Sequence, residues 1–114
     1  MRDWLHGLRR TDRASLDQVA AAITALRRVG PALGRPLVDR IRHSAIPNLK
    51  ELRPGSSGDS EIRILFALDT GRRIVILVAG DKRGRWQSWY RTAIPLAEER
   101  YRAHLRRTEE QADR

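Results

Sequence analysis

The chain has 114 residues, 40% apolar and 32% charged, with a formal net charge of +9. That length holds one modestly cored domain, residues 1–114, and leaves no room for a second. With no cysteine, no apolar run near the ~18 residues of a membrane span and no apolar signal-peptide core, disulfides, thiol chemistry and membrane insertion are excluded and a cytoplasmic protein is expected.

Arg2 to Leu8 places Trp4, Leu5 and Leu8 at i, i+1 and i+4, which predicts a short amphipathic helix. Thr11 or Asp12 then caps a second helix. In it Leu16, Val19, Ala20, Ile23, Leu26 and Val29 step mostly by three and four to make one apolar stripe, and Gly30-Pro31 ends it. Pro31 to Pro47 reads as a connector that Leu37, Val38 and Ile41 anchor to the core.

Asn48 to Arg53 is a short strand, and Glu61 to Leu68 a strongly apolar one. Asp69-Thr70-Gly71 is a turn. Arg72 to Ala79 is the most β-branched run and predicts a central strand covered on both faces. Gly80 breaks that strand, and Asp81 to Arg85 is a charged loop. Trp86 to Thr92 forms a helical turn or two. Pro95 opens a last helix with a stripe of Ala97, Tyr101, His104 and Leu105 flanked by Leu96, and the tail frays from Thr108. The fold class is α+β: two N-terminal helices packed on an antiparallel sheet of about three strands, with a C-terminal helix.

Of the 23 basic residues only Lys50 and Lys82 are lysines. The planar guanidinium pairs with phosphate in a bidentate way and stacks on bases, so nucleic acid or ribosome is the first partner class. If the strands on either side of the Pro54 to Ser60 loop pair antiparallel, Arg53 and Arg63 share one sheet face and can hold a phosphate. Lys50, Arg83 and Arg85 add cations, and Trp86 and Tyr90 offer aromatic faces for an unstacked base; stacking is worth roughly 1–3 kcal/mol per base.

Such a set suits RNA cleavage by attack of the 2′-OH on its own phosphate. That reaction needs fixed cations for the phosphorane, a base for the hydroxyl and a donor for the leaving 5′-oxygen. Arg53 and Arg63 fit the first role. Lys82 fits base or acid if neighbouring arginines lower its pKa, with Asp81 as an alternative base. No cluster of histidines and carboxylates stands out, so neither a metal nor another cofactor is expected.

With KELR, EIRILFALD and AGDKRGRW in that order, the sequence resembles the RelE/ParE toxin superfamily of type II toxin-antitoxin systems, and within it the HigB-like branch. The resemblance covers most of the chain. It implies a small curved antiparallel sheet with two helices on one side. It also implies ribosome-dependent cleavage of mRNA and inhibition of translation. Arg53 and Arg63 would then stand at the phosphate-contacting positions and Lys82 at the basic position after the third strand. The implied partners are a cognate antitoxin, a helix-turn-helix protein, together with ribosome and mRNA. Operator DNA would be reached only through the antitoxin.

The sequence departs from that pattern twice. Relatives usually begin with a strand ahead of the first helix, whereas this chain enters the helix at Arg2; an uncovered sheet edge would then need another chain or the antitoxin to cover it. Some relatives also carry a catalytic histidine or tyrosine near the C-terminus, for which Tyr90, Tyr101 and His104 are the candidates here. The alternatives are a ParE-like toxin acting on DNA gyrase and a non-catalytic basic protein that binds nucleic acid or ribosome.

Overall fold

The structure, a computed structural model, describes residues 13–34, 37–54 and 61–112. The helix expected at Arg2 to Leu8, the Thr11 and Asp12 caps and the Leu16 side chain lie outside the described residues. In chain order the elements are α1 (Arg13–Val29), a 3₁₀ turn (Gly30–Ala32), β1 (Val38–Arg40), β2 (Lys50–Leu52), β3 (Ile62–Leu68), β4 (Ile74–Asp81) and α2 (Trp86–Ala112). The strands form one antiparallel sheet in the order β1-β2-β3-β4. The class is α+β, as expected.

Among the described residues one helix packs on each face of the sheet. On one face α1 presents Val19, Ala22 and Leu26 to Val38, Leu52, Ile62, Ile64 and Phe66. On the other α2 presents Trp89, Ala93 and Ala97 to Leu49, Leu65, Ala67, Leu77 and Val78. The buried positions of α1 are 19, 22 and 26 with Ile23 half-buried, so its stripe includes Ala22, while Ala20 is exposed and Val29 is 54% exposed.

Among the described residues the sheet has four strands, where about three are expected. The extra one, β1, lies in the segment read as connector, and its register sets Val38 opposite Leu52 and Arg40 opposite Lys50. Three residues with a single buried side chain carry no readable alternation. The expectation that Arg72 to Ala79 is central is also overturned. The doubly covered strand is β3, buried at every residue from Ile62 to Ala67, because β2 and β4 flank it and a helix covers each face. Among the described residues β4 stands at the sheet edge; its β-branched residues report the surfaces they pack on, not their place in the strand order.

Gly80 does not break β4, which continues to Asp81. It marks the close crossing of α2, since a Cβ there would sit 2.7 Å from Trp89 Nε1. Nor does Pro95 start a helix. It lies inside α2, which runs unbroken from Trp86 to Ala112, so the part of the tail from Thr108 to Ala112 that was expected to fray is helical. Pro95 and Arg91 are both exposed, so water can take the Arg91 carbonyl that the proline leaves without a donor.

Candidate active site

β2 and β3 pair with Glu51 opposite Leu65 and Leu52 opposite Ile64. One step further, that register sets Arg53 opposite Arg63. Leu65 faces α2, and side chains alternate along a strand, so Glu51, Arg53 and Arg63 lie on the α2 face. Lys50 pairs with Phe66, whose side chain packs on the α1 side, so it stands on the other face. Arg63 in turn pairs with Gly80, where Trp89 closes over the sheet.

The first turns of α2 drop Tyr90 into this cluster. Its hydroxyl donates to Glu51 Oε2 at 2.6 Å. Lys82 Nζ donates to the same hydroxyl at 3.1 Å. Lys82 is 2% exposed, and its ammonium sits 3.7 Å from the centroid of the Trp86 ring, which is itself 53% exposed. The result is a hydrogen-bonded line from Lys82 through Tyr90 to Glu51, roofed by an indole.

The arginines differ in what holds them. Arg63 is 9% exposed; Nη1 donates to the Ile62 carbonyl at 2.8 Å, and its buried Nε has no partner. Arg53 is the more accessible and is held by two long ion pairs, Nη1 to Asp39 at 3.7 Å and Nε to Glu51 at 3.9 Å. Burial, followed by the positive charge of Arg63, pushes the Lys82 pKa below the ordinary lysine value. Burial and donation to Glu51 push the Tyr90 phenol well above the ordinary tyrosine range, so it stays protonated. The cluster therefore pairs an acidified ammonium with a carboxylate acceptor, joined by a phenol that can pass a proton between them.

The structure thus brings together Arg53, Arg63, Lys82, Trp86 and Tyr90. Arg83 and Arg85 are exposed on the loop beside them. Asp81 belongs to the loop scaffold: its Oδ1 accepts from the Glu61 and Arg83 backbone N–H groups at 3.0 and 2.9 Å. Tyr101 and His104 are elsewhere, tied to the Leu68 carbonyl and to Asp69. Sequence reasoning missed Glu51. The available signal was a carboxylate two residues before Arg53 in a short apolar strand, a spacing that puts both on one face.

Among the described residues no group of three or more His, Asp or Glu side chains could hold a metal ion, and no helix is long and apolar enough to cross a membrane.

Residues 3–102 match the family model described as Phage derived protein Gp49-like (DUF891). A Mycobacterium tuberculosis (strain ATCC 25618 / H37Rv) protein named "Putative toxin HigB2" is 51% identical over 107 residues, covering 94% of this chain and 52% of its own length. A second from the same strain, "Putative toxin HigB3", is 45% identical over 97 residues, covering 85% of this chain and 80% of its own. The chain spans about half the length of the first relative and most of the second. No solved structure matches it. The chain belongs to the Gp49-like family, a RelE/HigB-type toxin family, and its α+β layout is broadly that of a RelE-like fold.

Proposed function

We propose that this chain is the toxin of a type II toxin-antitoxin pair and that it cleaves mRNA on the ribosome without a metal ion. The observation that carries the reading is the Lys82–Tyr90–Glu51 line beside Arg63 and Arg53. It supplies the three groups that 2′-OH attack requires. Arg53 holds a nonbridging phosphate oxygen, and Arg63 adds positive potential from beneath. Glu51 takes the proton from the 2′-OH. Lys82, acidified by its surroundings, returns a proton to the leaving 5′-oxygen through Tyr90. The P–O5′ bond breaks as the O2′–P bond forms, leaving a 2′,3′-cyclic phosphate and a 5′-hydroxyl. Trp86 stacks on the splayed base, with Arg83 and Arg85 on the flanking phosphates. An antitoxin, whose existence the relatives' toxin names support, would restrain the protein in the cytoplasm.

The test is cleavage of a reporter mRNA by the purified chain with and without translating ribosomes, read by primer extension and by product end chemistry. Cuts that need the ribosome and leave a cyclic phosphate are expected. Intact mRNA in both conditions from a folded protein overturns the proposal.

A further inference from the structure

β3 and β4 pair with Ile62 opposite Asp81 and Arg63 opposite Gly80. One step beyond, that register sets Glu61 opposite Lys82, and the Lys82 backbone N–H donates to the Glu61 carbonyl at 3.0 Å. The Glu61 N–H in turn donates to Asp81 Oδ1 at 3.0 Å, which ties the start of β3 to the end of β4. Residues two apart on a strand share a face, so Glu61 stands beside Arg63 on the face that α2 covers. The proton path from Lys82 through Tyr90 to Glu51 leaves this carboxylate unused.

Two buried side-chain atoms among the described residues have no hydrogen-bond partner, Glu61 Oε2 and Arg63 Nε. A buried carboxylate oxygen without a donor destabilises the fold, so its presence needs a physical reason. Lys82 supplies one. The groups that face its ammonium are Glu51 from β2, Arg53 just beyond it, Glu61 and Arg63 from the start of β3, and Tyr90 from α2. On its own loop Arg83 and Arg85 are exposed, and Asp81 is held by backbone N–H groups. Burial and the two arginines work against the ammonium, and the two carboxylates work for it. Without Glu61, one carboxylate would stand against two guanidiniums. Glu51 is also the group that loses its charge when it accepts a proton, whereas Glu61 keeps its own.

We propose that Glu61 is a positioning residue of the site: set opposite Lys82 by the β3–β4 register, its carboxylate holds the buried amine in the ammonium form beneath Trp86. Lys82 then keeps its proton until the leaving oxygen takes it through Tyr90. That catalytic consequence rests on the proposed function; the charge pairing does not.

The test uses the full chain with isotope-labelled lysine, titrated by NMR. Only Lys50 and Lys82 give signals, and Lys50→Arg assigns them. Glu61→Gln keeps the side-chain shape and removes the charge, and it should lower the Lys82 midpoint by about 1 pH unit. Glu61→Asp keeps the charge and should stay close to the parent. In ribosome-dependent cleavage the alkaline limb of the pH profile should move down with Glu61→Gln by the same amount, because the acid loses its proton sooner. An unmoved Lys82 midpoint, an equal shift in Glu61→Asp, or an alkaline limb that stays in place in a cleaving variant overturns the proposal. If the parent chain cleaves no mRNA, the proposed function fails, and the lysine titration still decides the role of the Glu61 charge.

Discussion

The Tyr90 hydroxyl and the Glu51 carboxylate, 39 positions apart in sequence, meet at 2.6 Å and join α2 to the middle of β2. This bond makes one unit of the site, since Lys82 donates to the same oxygen. Tyr90→Phe removes both bonds and leaves Glu51 without its donor. A hydrogen bond to a charged group is worth about 1.5–3 kcal/mol, and urea unfolding should show a loss of that size. Growth arrest should weaken further than that loss explains, because the proton path is cut.

Arg63→Met separates function from stability. The guanidinium is buried, and its Nε has no partner, so the wild-type fold carries an uncompensated cost. Replacing it by an apolar chain of similar length should leave stability unchanged or raised, while mRNA cleavage falls by about 100-fold to 1000-fold. Thermal unfolding and cleavage assays on the same preparation check both halves. A destabilised but active variant would show that Arg63 is structural.

Arg53→Ala should cost little stability, below about 1 kcal/mol, since its ion pairs are long and partly exposed. It should nevertheless relieve growth arrest on induction. Persistent arrest by a folded, expressed variant would remove Arg53 from the site.

Much of this arrangement was legible in the sequence, and the misses have physical causes. That Arg53 and Arg63 share a face could be read because two strand patterns flank a Pro/Gly/Ser loop, which implies an antiparallel pair. Glu51 was hidden because KELR is too short to show its period, and its partner Tyr90 arrives from a distant helix. β1 was hidden for the same reason: only Val38 buries its side chain among three residues. Composition placed β4 at the centre because five consecutive apolar residues look doubly covered, whereas strand order depends on which neighbours the chain supplies. Pro95 suits the first turn of a helix and so suggests a start there, but inside α2 its cost falls on an exposed face, where water offsets it.

Gly80→Ala tests the close crossing of β4 and α2. The added methyl would lie 2.7 Å from Trp89 Nε1, and Trp89 is 6% exposed with little room to give. A cost of about 1–3 kcal/mol is expected, together with reduced cleavage as the start of α2 shifts Tyr90 away from Glu51. Chemical denaturation and tryptophan emission report the two effects.

At the far end of the sheet, Asp69 accepts from the Arg73 N–H at 2.9 Å and lies 3.0 Å from His104 Nε2. These bonds, His104 first, hold its carboxyl below the ordinary aspartate value. A depressed carboxylate stabilises the fold above the unfolded pKa of about 3.9, and that contribution is lost as pH falls through the folded value. Stability should therefore drop below about pH 4, and Asp69→Asn should flatten the drop while lowering stability at neutral pH. Unfolding free energies across an acid pH series decide it.

The most direct test of the central claim is single-turnover mRNA cleavage on programmed ribosomes by Lys82→Met against the parent chain. This substitution keeps the buried stem beneath Trp86 and deletes the charge and the donor to Tyr90. If the Lys82–Tyr90–Glu51 line moves the proton, cleavage slows by about 100-fold to 10,000-fold with the fold intact. An unchanged rate from the folded variant would contradict the account.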